Sequence, residues 1–125
     1  MLDAPRIAKF QSFYNQPTES VFHLFCNVIS GGKAALKFQW LKDGIEISAD
    51  SNAIDSHRYQ VDTKLVFSQF NLHNLVPSDS ANYSCLVTNL DSGEYDIQWA
   101  VLQVSGKLIL LLTISLKTLK ILSNN

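Results

Sequence analysis

The side chains that could carry chemistry in this 125-residue chain form no catalytic or metal-binding pattern. The three histidines, which lack the spacing of metal ligands, are His23, His57 and His73. The stretch Gly31-Gly32-Lys33 lacks the rest of a phosphate-binding loop, and the carboxylates of Glu94 and Asp96 fit a solvated turn. We therefore expect no enzyme, no cofactor, no metal and no small-molecule substrate.

The two cysteines, by contrast, each have an aromatic residue at a spacing that is typical of one fold class. Trp40 follows Cys26, and Tyr83 lies two positions before Cys85 in the stretch Asp79–Cys85. This order is typical of the immunoglobulin sandwich, in which two cysteines join two sheets across a buried tryptophan. The sequence therefore predicts an all-β, immunoglobulin-like Greek-key sandwich.

This frame implies a disulfide between Cys26 and Cys85. Closing a loop of that length is worth about 4 kcal/mol in the chain-entropy model, and such a bond suits an oxidising, extracellular environment. The alternative is a pair of buried thiols, because intracellular modules also use this sandwich and free cysteine packs as a small hydrophobe.

Other parts of the frame imply specific contacts. Trp40 and Leu72 are expected in the core, and Tyr83 is expected to bury its ring and turn its hydroxyl back to the chain. By analogy with the fold, Arg58 is placed to pair with Asp79 across one end of the sandwich.

Length and charge limit the remaining possibilities. The hydrophobic fraction of 46% is that of a globular chain, and ten basic against eleven acidic residues leave a net charge of -1. This balance provides no electrostatic footprint for nucleic acid. We expect one domain at residues 1–105 and a tail outside it at residues 106–125.

Alternation of apolar and polar residues predicts seven main strands, lettered A to G. Their expected ranges are Pro5–Phe10, Ser20–Val28, Leu36–Lys42, Arg58–Val61, Lys64–Asn71, Asn82–Asn89 and Tyr95–Val104. A break is expected at Gln16–Glu19, and Asp43-Gly44 reads as a hairpin turn. In strand E, counting back by two from Leu72 places Val66 inward, unless a bulge reverses the order.

Both ends of the chain suggest a piece of a longer protein. Met1–Pro5 lacks a basic start and an apolar stretch, so we expect that a signal peptide and membrane anchor belong to missing parts. The largely apolar run Leu108–Leu116 is far shorter than the roughly 20 residues of a membrane-spanning helix. The tail could form an amphipathic helix. A second hypothesis is a non-native continuation, translated from an AT-rich intron after Ser105.

Trp40–Gly44 and Asp79–Cys85 resemble intermediate-set (I-set) immunoglobulin domains. More narrowly, Pro5-Arg6-Ile7, Ser30-Gly31-Gly32 and Leu36–Gln39 are similar to domains of the arthropod Down syndrome cell adhesion molecule (Dscam) family. That resemblance implies a cell-surface parent protein engaged in homophilic recognition and axon guidance. Two alternatives stay open: an intracellular, titin-like structural module, and a secreted immune-recognition domain.

Outward-facing apolar side chains suggest where a partner would bind. On the predicted ABED sheet the expected homophilic surface comprises Val21, His23, Phe25, Phe67 and Gln69. A rival surface on the other sheet comprises Leu41, Leu86 and Trp99. Asn82-Tyr83-Ser84 is the one glycosylation sequence, and alternation places Asn82 outward on that second sheet, where a glycan would partly shield it. The alternative for Asn82 is a plain surface asparagine.

Overall fold

Two β-sheets account for almost all of the regular structure. The structure, a computed structural model, describes residues 4–47 and 58–106. Residues 1–3, the segment 48–57 with His57, and the tail from residue 107 onward lie outside the described residues. The strands found within the described ranges are β1 Arg6–Ile7, β2 Phe13–Pro17, β3 Phe22–Ser30, β4 Leu36–Lys42, β5 Ile45–Glu46, β6 Tyr59–Thr63, β7 Phe67–Leu72, β8 Ala81–Asn89 and β9 Tyr95–Ser105.

The strands form a sandwich. Sheet I has the order β1-β3-β7-β6, and sheet II has the order β2-β9-β8-β4-β5. Neighbours are antiparallel except β2, which runs parallel to β9. Strict alternation along β3 buries every second side chain, so one face of the strand lies in the core and the other faces solvent. The predicted all-β, two-sheet sandwich is confirmed.

Aromatic rings fill the centre of the core around Trp40. The indole stacks on Phe70 with ring centroids 5.3 Å apart and on Phe10 at 6.3 Å. Its Nε1–H donates to the Ser68 hydroxyl at 2.9 Å, which satisfies both polar groups in the interior. Trp40 and Leu72 are both buried, as the frame implied.

The first edge strand differs from expectation, because it is divided between the two sheets. Only Arg6–Ile7 pair with β3, whereas Phe13–Pro17 cross over to pair with β9. The expected break at Gln16–Glu19 is therefore wrong for Gln16 and Pro17. Pro17 is tolerated there because it ends an edge strand, and the next N–H, that of Thr18, bonds to the Ser105 carbonyl at 2.9 Å.

The hairpin between β6 and β7 corrects a second expectation. Strand E was expected from Lys64, but β7 begins at Phe67. The Lys64 N–H bonds to the Phe67 carbonyl at 2.8 Å and closes a turn, so the alternation counted back from Leu72 holds only as far as Ser68. Val66 lies in that turn with 38% of its surface exposed, and its expected inward position is wrong.

Two tight turns depend on positive φ angles. Asp43 and Gly44 have φ values of 49° and 81°, which suit the two-residue hairpin predicted between β4 and β5. Gly31 has a φ of 73°, and a Cβ at this position would lie 2.5 Å from the Ala4 carbonyl oxygen. Gly31 therefore allows the start of the chain to pass close beside the end of β3.

Candidate functional site

The disulfide is the covalent link between the sheets. Cys26 on β3 and Cys85 on β8 are bonded, with 6.3 Å between their Cα atoms, and both are fully buried. Each sulfur points inward because side chains along its strand alternate between the core and the outer face. The bond therefore crosses the core. Trp40 lies beside it, since Trp40 on β4 pairs with Cys85 on β8. The predicted disulfide is confirmed.

A second cross-link, made of hydrogen bonds, closes one end of the sandwich. The Asp79 carboxylate is 1% exposed, and it accepts hydrogen bonds from Arg58 at 2.7 and 3.1 Å and from the Val76 N–H at 2.9 Å. The Tyr83 hydroxyl donates to the Asp79 carbonyl at 2.6 Å. These bonds connect Arg58, which directly precedes β6, to the turn at Pro77–Asp79 and connect that turn to β8. They therefore link the two sheets at this end of the sandwich.

Burial makes this corner sensitive to alkali. Burial raises the pKa of Tyr83 well above its ordinary value of 10.0, with Tyr59 and Asp79 adding to the effect, and burial also raises the pKa of Tyr59. Above about pH 10 the unfolded chain loses the Tyr83 proton while the folded chain keeps it. We expect stability to be flat below that pH and to fall above it by about 1.4 kcal/mol per pH unit for Tyr83, with Tyr59 contributing in the same direction.

Urea unfolding at a series of alkaline pH values measures this decline, with Tyr83→Phe as the matched variant. That variant loses the hydrogen bond to Asp79 at every pH but has one fewer group to ionise, so its decline should be shallower. Equal slopes in the two proteins would contradict the prediction.

The predicted homophilic surface lies on the outer face of sheet I and is called here the sheet I patch. It comprises Val21, His23, Phe25, Phe67 and Gln69. Phe25 is 57% exposed, whereas Phe67 and Val21 are half-buried. Phe25 pairs with Gln69 and Asn27 with Phe67, so the two rings are diagonal neighbours within reach of each other. His23 Nδ1 and Gln69 Nε2 both bond to the Asn71 amide oxygen, which orders the polar side of the patch.

The outer face of sheet II carries a larger apolar surface, called here the sheet II patch. Its members are Phe13, Leu41, Leu86, Tyr95, Ile97, Trp99 and Val101. Tyr95 is 64% exposed and Trp99 53% exposed. Tyr95, Ile97, Trp99 and Val101 occupy alternate positions of β9, so they form one continuous ridge.

Several of these side chains escaped the sequence reasoning. Phe13 was missed because strand β2 was missed. Tyr95 and Ile97 could have been found by counting back by two from Trp99, and Ile29 by counting on from Phe25. Ile29 is 57% exposed on the same side of β3 as Phe25.

Asn82 lies at one end of the sheet II patch. It pairs with Val101 on β9, its side chain is exposed, and its backbone N–H bonds to the Asp43 carboxylate at 2.9 Å. Its side-chain amide is thus accessible on the face that carries Trp99. A glycan at this position would stand beside the patch.

The described residues offer little for catalysis. In the ranges 4–47 and 58–106 no three His, Cys, Asp or Glu side chains are grouped to hold a metal ion. A surface depression of about 470 Å³ contains Arg6 and Asp96, but Asp96 already accepts the Ile7 N–H at 2.8 Å. A second, of about 940 Å³, is lined by residues 32–36 and 63–67 of two turns. Within the same part of the chain no helix is long and apolar enough to cross a membrane.

Known proteins resemble the chain in sequence pattern and in fold. A family model described as immunoglobulin domain matches residues 5–89. The titin domain M4 superposes with a TM-score of 0.67 at 20% identity, over 84% of this chain and 99% of that one. The titin domains Z1Z2 in complex with telethonin give 0.69 at 18% identity, over 86% of this chain and 50% of that one. At such identities the likeness shows the fold alone. No curated protein sequence matches the chain.

Proposed function

The chain belongs to the immunoglobulin domain family, and on that premise we propose that it is a non-catalytic, protein-binding domain of a cell-surface adhesion protein similar to the Dscam family. Its role there is homophilic recognition, as in axon guidance. The observation that carries the proposal is a rigid, disulfide-linked sandwich that presents aromatic side chains on an outer sheet face. Aromatic side chains supply much of the binding energy at protein interfaces.

The disulfide supports the extracellular assignment, because such bonds persist in oxidising compartments and are rare in the cytosol. The accessible side chain of Asn82 is consistent with secretion, since the sequon Asn82-Tyr83-Ser84 could then carry a glycan. Peptide mapping of secreted protein before and after glycosidase treatment tests that site.

The sheet I patch is the proposed homophilic contact. Its centre is Phe25, and its polar side is ordered by the bonds of His23 and Gln69 to Asn71. Because these bonds already hold His23 and Gln69, these two side chains lose little conformational entropy when a partner covers them. The glycan proposed at Asn82 would lie on the other sheet, so it leaves this patch open.

Replacing Phe25 by serine is expected to abolish aggregation of cells that display the full chain from a membrane anchor. The exposed ring contributes little to the fold, so melting should change by no more than a few degrees. Because a two-fold contact uses the same residue on both partners, the substitution removes the ring from both sides of the interface. Phe67→Ser should act in the same direction, with some loss of stability because that ring is half-buried.

The matched control is Leu90→Ser. Leu90 is 59% exposed in the turn after β8, which belongs to the other sheet, so it tests whether removing any exposed hydrophobe has the same effect. Aggregation that persists in Phe25→Ser, or that disappears equally in Leu90→Ser, would refute the patch as the contact.

A second candidate function is an intracellular structural module like those of titin, and the likeness of the fold to titin domains favours it. The two candidates differ in the state of Cys26 and Cys85. The mass of the natively expressed protein, alkylated with and without prior reduction, distinguishes them. An oxidised pair supports the adhesion domain, whereas two thiols on an unglycosylated chain would support the intracellular module.

A further inference from the structure

We propose that the sheet II patch binds a second copy of this chain, through a two-fold axis that runs across the strands. This contact is separate from the sheet I patch and does not depend on it. A second copy is inferred as the partner from the order of apolar and charged side chains on the face. Two copies of the face are complementary when the axis runs across the strands, and they are not when it runs along the strands.

Four parallel rows are formed by the outward side chains of β4, β8 and β9 and by Asp43, the first turn residue after β4, because the pairing of the strands aligns them. From one end of the sheet to the other the rows are Lys37, Thr88 and Tyr95; Gln39, Leu86 and Ile97; Leu41, Ser84 and Trp99; and Asp43, Asn82 and Val101. Phe13 extends the last row, since it pairs with Val101 from β2. The apolar centre is thus bounded at one end of β4 by a cation and at the other by an anion, both exposed.

A two-fold axis in the plane of a face-to-face contact can run along the strands or across them. An axis along the strands keeps each row at its own level and sets β4 against β9. Lys37 would then face Tyr95 of the second copy, and Asp43 would face Val101. Both charges would be buried against apolar surface without a partner, which is costly.

An axis across the strands gives the opposite result. The first row then faces the fourth and the second faces the third, with each strand opposite itself. Ile97 of each copy meets Trp99 of the other, and Tyr95 meets Val101 with Phe13 beside it. Lys37 meets Asp43 twice, once at each end of β4.

This arrangement has an apolar centre and a charged rim, which is the usual anatomy of a specific interface. Facing sheets pack about 10 Å apart with strand directions within about 30°, so the twist of each sheet is compatible with it. Asn82 would face Thr88 of the second copy. A glycan on Asn82 would therefore exclude this contact, so modification of the sequon would control it.

Sedimentation equilibrium of the full chain, produced without glycan in an oxidising bacterial periplasm, tests the proposal. Every protein in the series carries Phe25→Ser, which removes the contact proposed on sheet I. This parent protein is expected to form dimers, and adding Trp99→Ser should weaken the association at least about tenfold because the ring lies at the centre of the contact. Leu65→Ser, which removes a 90% exposed side chain in the β6–β7 turn, is the matched control and should dimerise as the parent does. A monomeric parent, or a dimer that Trp99→Ser leaves intact, would overturn the proposal.

The orientation is tested by charge. Lys37→Glu should weaken the dimer about fivefold to tenfold, because it places two carboxylates together at both ends of β4. In an Asp43→Asn background, which keeps a side-chain oxygen for the Asn82 N–H, the same change should cost about twofold or less. An equal cost in both backgrounds would rule out the axis across the strands. Melting curves verify that each variant is folded.

Discussion

Replacing Cys26 and Cys85 together by alanine is expected to lower the free energy of unfolding by about 4 kcal/mol. The disulfide joins β3 to β8 across the core with a sequence separation of 59 residues, so it restricts the unfolded chain strongly. A domain of this size has a total stability of about 5 to 15 kcal/mol, so the variant should be at or near the limit of folding at 37 °C. Urea unfolding at 25 °C measures the change.

The control separates the cross-link from the packing of the two sulfurs. Reduced wild-type protein lacks the bond but keeps both sulfur atoms in the core, where they pack as small hydrophobes. It should therefore lie between the oxidised protein and the alanine variant in stability. A loss below about 1 kcal/mol in the alanine variant would contradict the entropic account.

Replacing Asp79 by alanine is expected to cost about 3 to 5 kcal/mol. The carboxylate is buried and accepts three hydrogen bonds, two from Arg58 and one from the Val76 N–H. Arg58 would retain its bond to the Asn74 carbonyl at 3.3 Å, but its side chain is only 21% exposed, so water could replace the lost carboxylate only in part. The Val76 N–H would lose its acceptor outright.

The matched control is Asp62→Ala, which removes an exposed ion pair at the end of β6. Lys64 and Asp62 are 3.4 Å apart, and both side chains are more than 60% exposed. Solvent screens such a pair, so its removal should change stability by less than about 1 kcal/mol. Thermal unfolding of both variants compares them, and equal losses would show that Asp79 acts as an ordinary surface carboxylate.

Much of the fold could be predicted because its pattern is local. The alternation along β3 indicates which of its side chains face the core, and Asp43-Gly44 indicates a two-residue hairpin, and both agree with the structure. Strand β2 could not be found in this way. Its backbone is held by the distant strand β9, and its five residues, which end in Asn15-Gln16-Pro17, resemble the start of a loop when read alone.

The candidate surfaces were predictable only where alternation continued without interruption. Val66 was misplaced because a hydrogen-bonded turn at Lys64–Phe67 interrupts the alternation of inward and outward side chains. The stretch contains no glycine, proline, asparagine or aspartate that would indicate a turn. The sheet II patch was underestimated because Phe13 joins it from β2. The exposure of Phe25 followed directly from the position of Cys26 next to it, since neighbours on a strand face opposite ways.

The positions of the two tryptophans give the protein two separate optical reporters. Trp40 is enclosed in the core beside the disulfide, whereas Trp99 stands on the outer face of sheet II. Iodide should quench the emission of Trp99 and leave that of Trp40 unchanged while the domain is folded. Loss of quenching with rising protein concentration would report coverage of the face, and a red shift of the protected emission would report unfolding. One chain without added dye can therefore distinguish association from denaturation.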